Sequence, residues 1–100
     1  MSNYSRGADF ERATQKDLER QGYDTVRSAG SHRPADIWAD RGDTRWKVQC
    51  KIDGHISPVE VEKLIMLAER TNSEAWLAFR PGKRGIEYRC LGRPQKQRDY

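Results

Sequence analysis

The stretch TRWKVQCKIDGHISPVEVEKLIMLAERT, residues 44–71, decides the fold because it joins one strand to one helix. Its first part alternates between apolar and polar side chains, so the spacing predicts a strand over 44–52, with Lys47, Gln49 and Lys51 on one face. The helix begins at the sequence SPVE, where Ser57 is the N-cap, Pro58 the first helical residue and Glu60 the third residue after the cap. We expect this helix to run over 58–71.

The rest of the chain extends this strand–helix unit in both directions. An apolar run at 75–79 predicts the next strand, which should lie parallel to strand 44–52 because a crossover helix connects them. Upstream, the pattern predicts a helix over 8–21 that stops at Gly22, and strands over 23–28 and 35–39. The turn residues at 40–43 predict a hairpin, and 86–91 is the last strand. The predicted class is α/β, with a mixed five-stranded sheet flanked by helices in the order α-β-β-β-α-β-β.

Length and composition exclude several classes of protein. The chain has 100 residues, which suits a single domain, and 19 basic against 15 acidic side chains give a net charge of +4. No apolar run approaches the roughly 20 residues of a membrane span, and the first residues lack the apolar core of a signal peptide. Cys50 and Cys90 form no disulfide framework. We therefore expect a cytoplasmic protein.

The excess of positive charge lies towards the C-terminus. Between Arg80 and Arg98 there are seven basic side chains and one acidic one. A solvated sheet edge and tail would have such a composition, but so would a surface that attracts the phosphates of nucleic acid.

One acidic residue and one polar pair have the form of a phosphodiesterase site. Asp36 stands at the head of a predicted strand, and Gln49 and Lys51 lie on one face of the next. Hydrolysis of a phosphodiester benefits from a hard cation such as Mg²⁺, which prefers oxygen ligands. Asp36, the side-chain oxygen of Gln49 and the main-chain carbonyl of Cys50 could provide them, and Lys51 could orient the attacking water. A lone Asp followed by Gln-x-Lys also arises by chance.

Several segments, in order, resemble the archaeal-type Holliday junction resolvases of the PD-(D/E)XK nuclease superfamily. The segment Arg6-Gly7-Ala8-Asp9-Phe10-Glu11-Arg12 is similar to the opening helix of that family, and Gly22-Tyr23 to its step into the first strand. The segment Arg27-Ser28-Ala29-Gly30-Ser31 is similar to its Arg-Ser-Ala-Gly-Ser loop. Asp36 matches the metal-binding aspartate, and Gln49 with Lys51 matches the Glu-x-Lys pair. The resemblance covers roughly residues 4–91.

The resemblance implies a restriction-endonuclease-like fold and a set of site residues. The implied catalytic residues are Glu11, Ser31, Asp36, Gln49 and Lys51. The implied ligands of Mg²⁺, for which Mn²⁺ could substitute, are Glu11, Asp36, Gln49 and the main-chain carbonyl of Cys50. Contacts to DNA are expected from Arg6, Arg12, Arg27, Arg33, Lys83 and Arg84. Gln49 stands where the family usually has Glu, so more of the metal ligation would fall on Glu11 and Asp36.

The expected function is therefore Holliday junction resolution. Residues 1–100 would form one nuclease domain, with a core at about 4–91 and a basic tail at 92–100, that makes paired symmetric nicks in four-way DNA junctions. We expect a homodimer that uses the helix 58–71, because its apolar positions exceed what one sheet face can bury. The protein would act near the nucleoid of a prokaryote, encoded by the cell or by a virus.

Three alternatives remain open at this level. The first is a related nicking or restriction-like nuclease that prefers duplex DNA. The second is a non-catalytic branched-DNA-binding module, in which Gln49 marks a degraded metal site. The third is a small basic RNA-binding domain, which would gain nothing from a metal ion.

Overall fold

A computed structural model describes residues 3–28, 34–82 and 85–94, with side chains from residue 7 onwards. These residues form two helices and five strands. The helices are α1 (Asn3–Arg20) and α2 (Pro58–Arg70). The strands are β1 (Asp24–Arg27), β2 (Ile37–Arg41), β3 (Thr44–Cys50), β4 (Glu74–Phe79) and β5 (Glu87–Gly92). The element order is the one predicted, and each strand boundary differs from the predicted one by no more than two residues.

The five strands form one mixed sheet in which spatial order follows chain order. β1, β2 and β3 are antiparallel neighbours, and so are β4 and β5. β3 and β4 are parallel, with Val48 opposite Trp76 and Cys50 opposite Ala78. The predicted hairpin and the predicted parallel pair are therefore both confirmed. Because α2 connects two parallel neighbours, the C-terminal ends of β3 and β4 lie at the same edge of the sheet.

Helix α1 begins five residues before the predicted position and ends one residue before the predicted end, at the predicted stop beside Gly22. Its last turn closes with a Schellman motif, in which the Tyr23 N–H donates to the Leu18 carbonyl (3.1 Å) and the Gly22 N–H to the Glu19 carbonyl (3.0 Å). Gly22 has φ +95°, a value that side chains with a Cβ rarely adopt. The early start places Glu11 in the middle of α1, so the helix dipole does not account for an acidic residue there.

The two faces of the sheet carry separate apolar cores. On one face, α1 contributes Phe10 and Leu18, which pack with Tyr23, Ile37 and Val48. On the other face, α2 contributes Leu64, Leu67 and Ala68, which pack with Ala35 and Ala75. The alternation of β3 is confirmed, since Trp46, Val48 and Cys50 pack on the α1 side. The sheet thus separates α1 and its Glu11 from α2.

Helix α2 has the predicted start. The Ser57 side chain accepts from the Glu60 N–H (3.1 Å), and the Glu60 side chain accepts from the Ser57 N–H (3.0 Å), which completes a capping box. The helix buries one stripe of side chains and leaves Val59 and Met66 more than half exposed. Neither helix of the described part of the chain is long and apolar enough to cross a membrane.

Candidate active site

Asp36 lies one residue before β2 and is held by three hydrogen bonds. Its N–H donates to the Val48 carbonyl and its carbonyl accepts from the Ser28 N–H, each at 2.8 Å, so its backbone extends both strand ladders. Its carboxylate oxygen Oδ2 accepts from the Cys50 N–H at 2.9 Å. The side chain is therefore fixed at the C-terminal end of β3, in the position that the Asp36, Gln49 and Lys51 pattern requires.

The Asp36 carboxyl group is difficult to ionise. Its pKa is raised to about 6, chiefly by burial and to a smaller extent by the charges of Glu11 and Glu60, while the Cys50 N–H and the Lys51 charge act in the opposite direction. Three carboxylates and one ammonium therefore influence one another at this edge of the sheet. An ionised Asp36 in this position would be stabilised by an additional positive charge.

Glu11 reaches the same edge from α1. Its Oε1 accepts from Arg27 Nη1 at 3.0 Å, and both side chains are mostly buried. Arg27 was expected to contact DNA. In the structure, its guanidinium pairs with the Glu11 carboxylate, and its contact with DNA stays a prediction.

Cys50 and Thr14 fill the space beside Glu11. The Cys50 thiol packs on the α1 side of the sheet, where burial, with the Asp36 charge as the next cause, raises its pKa far above the usual value. Thr14 is fully buried and donates to the Phe10 carbonyl at 2.8 Å. The thiol is therefore neutral, and Cys50 contributes main-chain groups rather than a charged ligand.

Lys51 lies just after β3, and its Nζ donates to Glu60 Oε2 at 2.8 Å. The sequence identified Glu60 only as the third residue after the Ser57 cap of α2. Nothing in the spacing indicates that its second oxygen reaches Lys51, because that contact depends on how the loop 51–57 folds back over the end of β3.

The other predicted site residues lie in several places. Ser31, Arg33, Lys83 and Arg84 lie outside the described residues, as does the side chain of Arg6. Arg12 is exposed and makes an ion pair with Asp9 (3.3 Å) on the outer side of α1. Gln49 lies in β3 opposite Leu77 and is half-buried.

Two further arginines border this edge of the sheet. Arg80 follows β4, with its N–H on the Ile52 carbonyl (3.0 Å) and its guanidinium 5.4 Å from the centre of the Phe10 ring. Arg89 of β5 packs over Phe79 and donates to the Gly54 carbonyl at 3.3 Å. Both positive charges come from the basic C-terminal part of the chain, so the edge that holds Asp36 also carries cations suited to phosphates.

The donor set at this edge consists of oxygen atoms. The predicted ligands Glu11 and Asp36 would bring carboxylates, and Gln49 and the Cys50 main chain would bring carbonyl oxygens, which are the ligand types that Mg²⁺ prefers. In residues 3–28, 34–82 and 85–94, no three His, Cys, Asp or Glu side chains come together as a metal site. The buried Asp36, with its raised pKa and acidic neighbours, nevertheless fits a cation, because a nearby positive charge would stabilise the ionised carboxylate and lower that pKa.

Known proteins resemble both this sequence and this fold. The sequence profile of the family described as "Archaeal holliday junction resolvase (hjc)" matches residues 2–96. The crossover junction endodeoxyribonuclease Hjc of Methanocaldococcus jannaschii is 32% identical over 81 residues, which cover 77% of this chain. The chain thus spans 60% of the length of that relative.

The fold comparison agrees with the sequence comparison. The structure of the Hjc Holliday junction resolvase of Archaeoglobus fulgidus superposes with a TM-score of 0.77, at 27% identity, and covers 85% of this chain and 77% of that one. The family profile spans nearly the whole sequence, including the segments that contain Glu11, Asp36 and Lys51. The chain therefore belongs to the archaeal Holliday junction resolvase family.

Proposed function

We propose that the chain is a Holliday junction resolving endonuclease that hydrolyses phosphodiesters with the help of Mg²⁺, for which Mn²⁺ could substitute. The observation that carries the proposal is the Asp36 carboxylate, fixed by the Cys50 N–H within the electrostatic influence of Glu11 and Lys51. The names of the two relatives, a crossover junction endodeoxyribonuclease and a Holliday junction resolvase, support the substrate.

Each residue of the site has a proposed role. Asp36, Glu11, the Gln49 amide oxygen and the Cys50 carbonyl would hold the cation. The bound cation would supply a counter-charge for the phosphate and favour deprotonation of the attacking water. Lys51 would place its ammonium group against the scissile phosphate or its water, and Ser31 would support the phosphate.

DNA contacts are proposed for the basic side chains around the site. Arg12 and Arg80 are two of the described candidates, together with the predicted contacts Arg6, Arg33, Lys83 and Arg84. Arg27 would exchange the Glu11 carboxylate for a DNA phosphate, because both are anions that a guanidinium binds with similar geometry. Such contacts position the duplex arms without reading bases, which suits recognition of a junction by its shape.

A homodimer would match the symmetry of the substrate. A four-way junction is roughly two-fold symmetric, and two identical subunits related by a two-fold axis would place one site on each of two opposed strands. We propose that α2 forms the contact, supported by its exposed Val59 and Met66, which lie two turns apart on one side of the helix. The protein would act in the cytoplasm, where prokaryotic DNA lies.

The test is cleavage of a labelled four-way junction beside a linear duplex of the same sequence, with Mg²⁺ or with EDTA. Wild type should make paired symmetric nicks in the junction alone, and Asp36→Asn should reduce the rate by at least roughly 100-fold, since it removes a charged ligand. Junction binding in EDTA should persist in the variant. A readout independent of activity is the melting temperature, which Mg²⁺ should raise in wild type and not in Asp36→Asn.

The remaining outcomes favour the alternatives. Junction binding by wild type without nicks under all metal conditions would indicate a non-catalytic binding module, which Gln49 favours because it removes one carboxylate. Equal cutting of the linear duplex would indicate a nicking or restriction-like nuclease. Metal-independent binding of RNA as tight as that of the junction would indicate an RNA-binding domain.

A further inference from the structure

The Glu60 carboxylate contacts two parts of the chain at once. Its Oε1 accepts from the Ser57 N–H at 3.0 Å, and its Oε2 accepts from Lys51 Nζ at 2.8 Å. One oxygen thus completes the cap of α2, and the other holds the side chain that follows β3. The capping box requires only the first of these contacts, so the contact with Lys51 is additional to the cap.

Of the two partners, Glu60 is the fixed one. The reciprocal bond from its own N–H to Ser57 Oγ (3.1 Å) and the Pro58 ring at the first helical position restrict the first turn of α2. Both side chains are partly exposed, Lys51 at 30% and Glu60 at 40%, but the Lys51 stem is longer and has more rotatable bonds to restrict. Formation of the ion pair therefore restricts mainly the Lys51 side chain, because the first turn of α2 already restricts Glu60.

Charge makes this contact important for the site. Gln49 presents an uncharged amide, so β3 itself offers no carboxylate on the face that carries Lys51. Within the described part of the chain, the carboxylate in hydrogen-bond contact with the Lys51 ammonium is that of Glu60. The bond to Lys51, followed by that from the Ser57 N–H, lowers the pKa of Glu60, so it is ionised at neutral pH.

We infer that Glu60 is a positioning residue of the active site: anchored by the cap of α2, it holds the Lys51 ammonium at the C-terminal end of β3, beside Asp36. This inference rests on the proposed function for its consequence in catalysis, but not for the placement of Lys51. Helix α2 then supplies the negative charge that β3 lacks, and the start of the helix becomes part of the catalytic geometry.

The test compares three alanine variants. Glu60→Ala removes the contact with Lys51. Ser57→Ala weakens the same helix cap, at a cost of about 1 kcal/mol, and leaves the Glu60 carboxylate in place. Glu62→Ala makes the same change of charge at an exposed position of the same helix. Should Glu60→Ala fail to fold, Glu60→Gln keeps the size of the side chain but has only one acceptor oxygen for two donors.

The first measurement is the ¹³C relaxation of Lys51 Cε, which requires neither substrate nor metal. In Glu60→Ala, the Lys51 Cε should become as mobile as that of the exposed Lys63, whereas Glu62→Ala should leave it as restricted as in wild type. Ser57→Ala keeps the bond from the residue 57 N–H to Glu60 Oε1 and should leave the Lys51 Cε far less mobile than Glu60→Ala does. Unchanged Lys51 mobility in Glu60→Ala would overturn the inference, whether or not the protein cleaves DNA.

The second measurement is single-turnover cleavage of the four-way junction with enzyme in excess. Glu60→Ala should lower the rate roughly 10- to 100-fold, because a displaced catalytic group loses its near-attack geometry. Its junction Kd in EDTA should stay within about twofold of that of Glu62→Ala, which has the same net charge. If wild type cleaves and Glu60→Ala cleaves as fast, the positioning role is wrong; if wild type itself does not cleave, the proposed function is wrong, and the relaxation data still decide where Lys51 is held.

Discussion

At the scale of single residues, the site is built at the expense of stability. Asp36 is buried against a sheet edge and near two other carboxylates, and its pKa is raised to about 6. A difference of one pH unit corresponds to about 1.4 kcal/mol, so keeping this group ionised at neutral pH costs the fold on the order of 2–3 kcal/mol without a cation. An uncharged side chain at position 36 would make the fold more stable, so stability alone does not explain an aspartate there.

Asp36→Asn should therefore stabilise the protein in EDTA at pH 7. The folded-state pKa lies above the unfolded one, so the folded protein binds the additional proton between about pH 4 and pH 6 and loses stability as the pH rises through that range. The free energy of unfolding of the variant should be close to that of wild type near pH 4 and exceed it by about 2–3 kcal/mol at pH 7. Urea titrations at both pH values measure this. A variant that is less stable than wild type at pH 7 would contradict the prediction.

At the scale of secondary-structure elements, a buried lysine joins β3 to the start of β4. Lys47 is 3% exposed, its Nζ donates to Ser73 Oγ at 2.7 Å, and it packs over the Trp38 ring at 4.5 Å. Burial lowers its pKa. The Ser73 hydroxyl in turn donates a hydrogen bond to the Thr71 carbonyl (3.1 Å), so it is satisfied both as donor and as acceptor. The turn after α2 thus depends on a polar network inside the α2-side core.

Removing the Ser73 hydroxyl should destabilise the fold more than removing the Lys47 ammonium group. Ser73→Ala should lower the free energy of unfolding by about 1–3 kcal/mol, because it leaves the Lys47 charge buried without its acceptor. Lys47→Met keeps the approximate length of the side chain and should leave the free energy of unfolding nearly unchanged. The deficit of Ser73→Ala should shrink as the pH approaches 10, since the lowered pKa lets Lys47 lose its proton in the folded state first. Equal losses in the two variants would be inconsistent with this account.

At the scale of the whole molecule, the sheet is covered on both faces, but α2 retains exposed apolar surface. Val59 is 58% and Met66 55% exposed, on a helix whose other side is buried. In a chain of 100 residues, which buries a limited core, a second copy could cover this surface. The proposed homodimer would have the same two-fold symmetry as the proposed substrate, a four-way junction.

Met66→Glu should convert the dimer to a monomer without unfolding it. Because Met66 is exposed, the free energy of unfolding of the subunit should change by no more than about 0.5 kcal/mol. A charge at the contact between subunits opposes their association. Light scattering at micromolar concentration measures the mass. Val26→Glu is the matched control, because Val26 is 66% exposed on the edge strand β1, whereas α2 packs chiefly against β3, β4 and β5. Wild type that is monomeric at this concentration would disprove the dimer.

The strand and helix pattern could be predicted from the sequence because it depends on local spacing. The alternation from Trp46 to Cys50 and the capping box at Ser57 and Glu60 specify β3 and α2, and the crossover between them makes β3 and β4 parallel. The early start of α1 was missed, since the segment before residue 8 has no apolar periodicity and the packing of Phe10 and Leu18 against the sheet supports the helix instead.

The sequence by itself determined the order of the elements and the family, because periodicity, capping and motif order are properties of neighbouring residues. It also predicted Glu11, Asp36, Gln49 and Lys51 as site residues. Only the tertiary structure decided which charges meet. Arg27 pairs with Glu11 across 16 positions and Lys51 with Glu60 across 9. Such contacts depend on how α1 and the loop after β3 pack at one edge of the sheet, and the Coulomb energy between two charges follows their distance in space rather than along the chain.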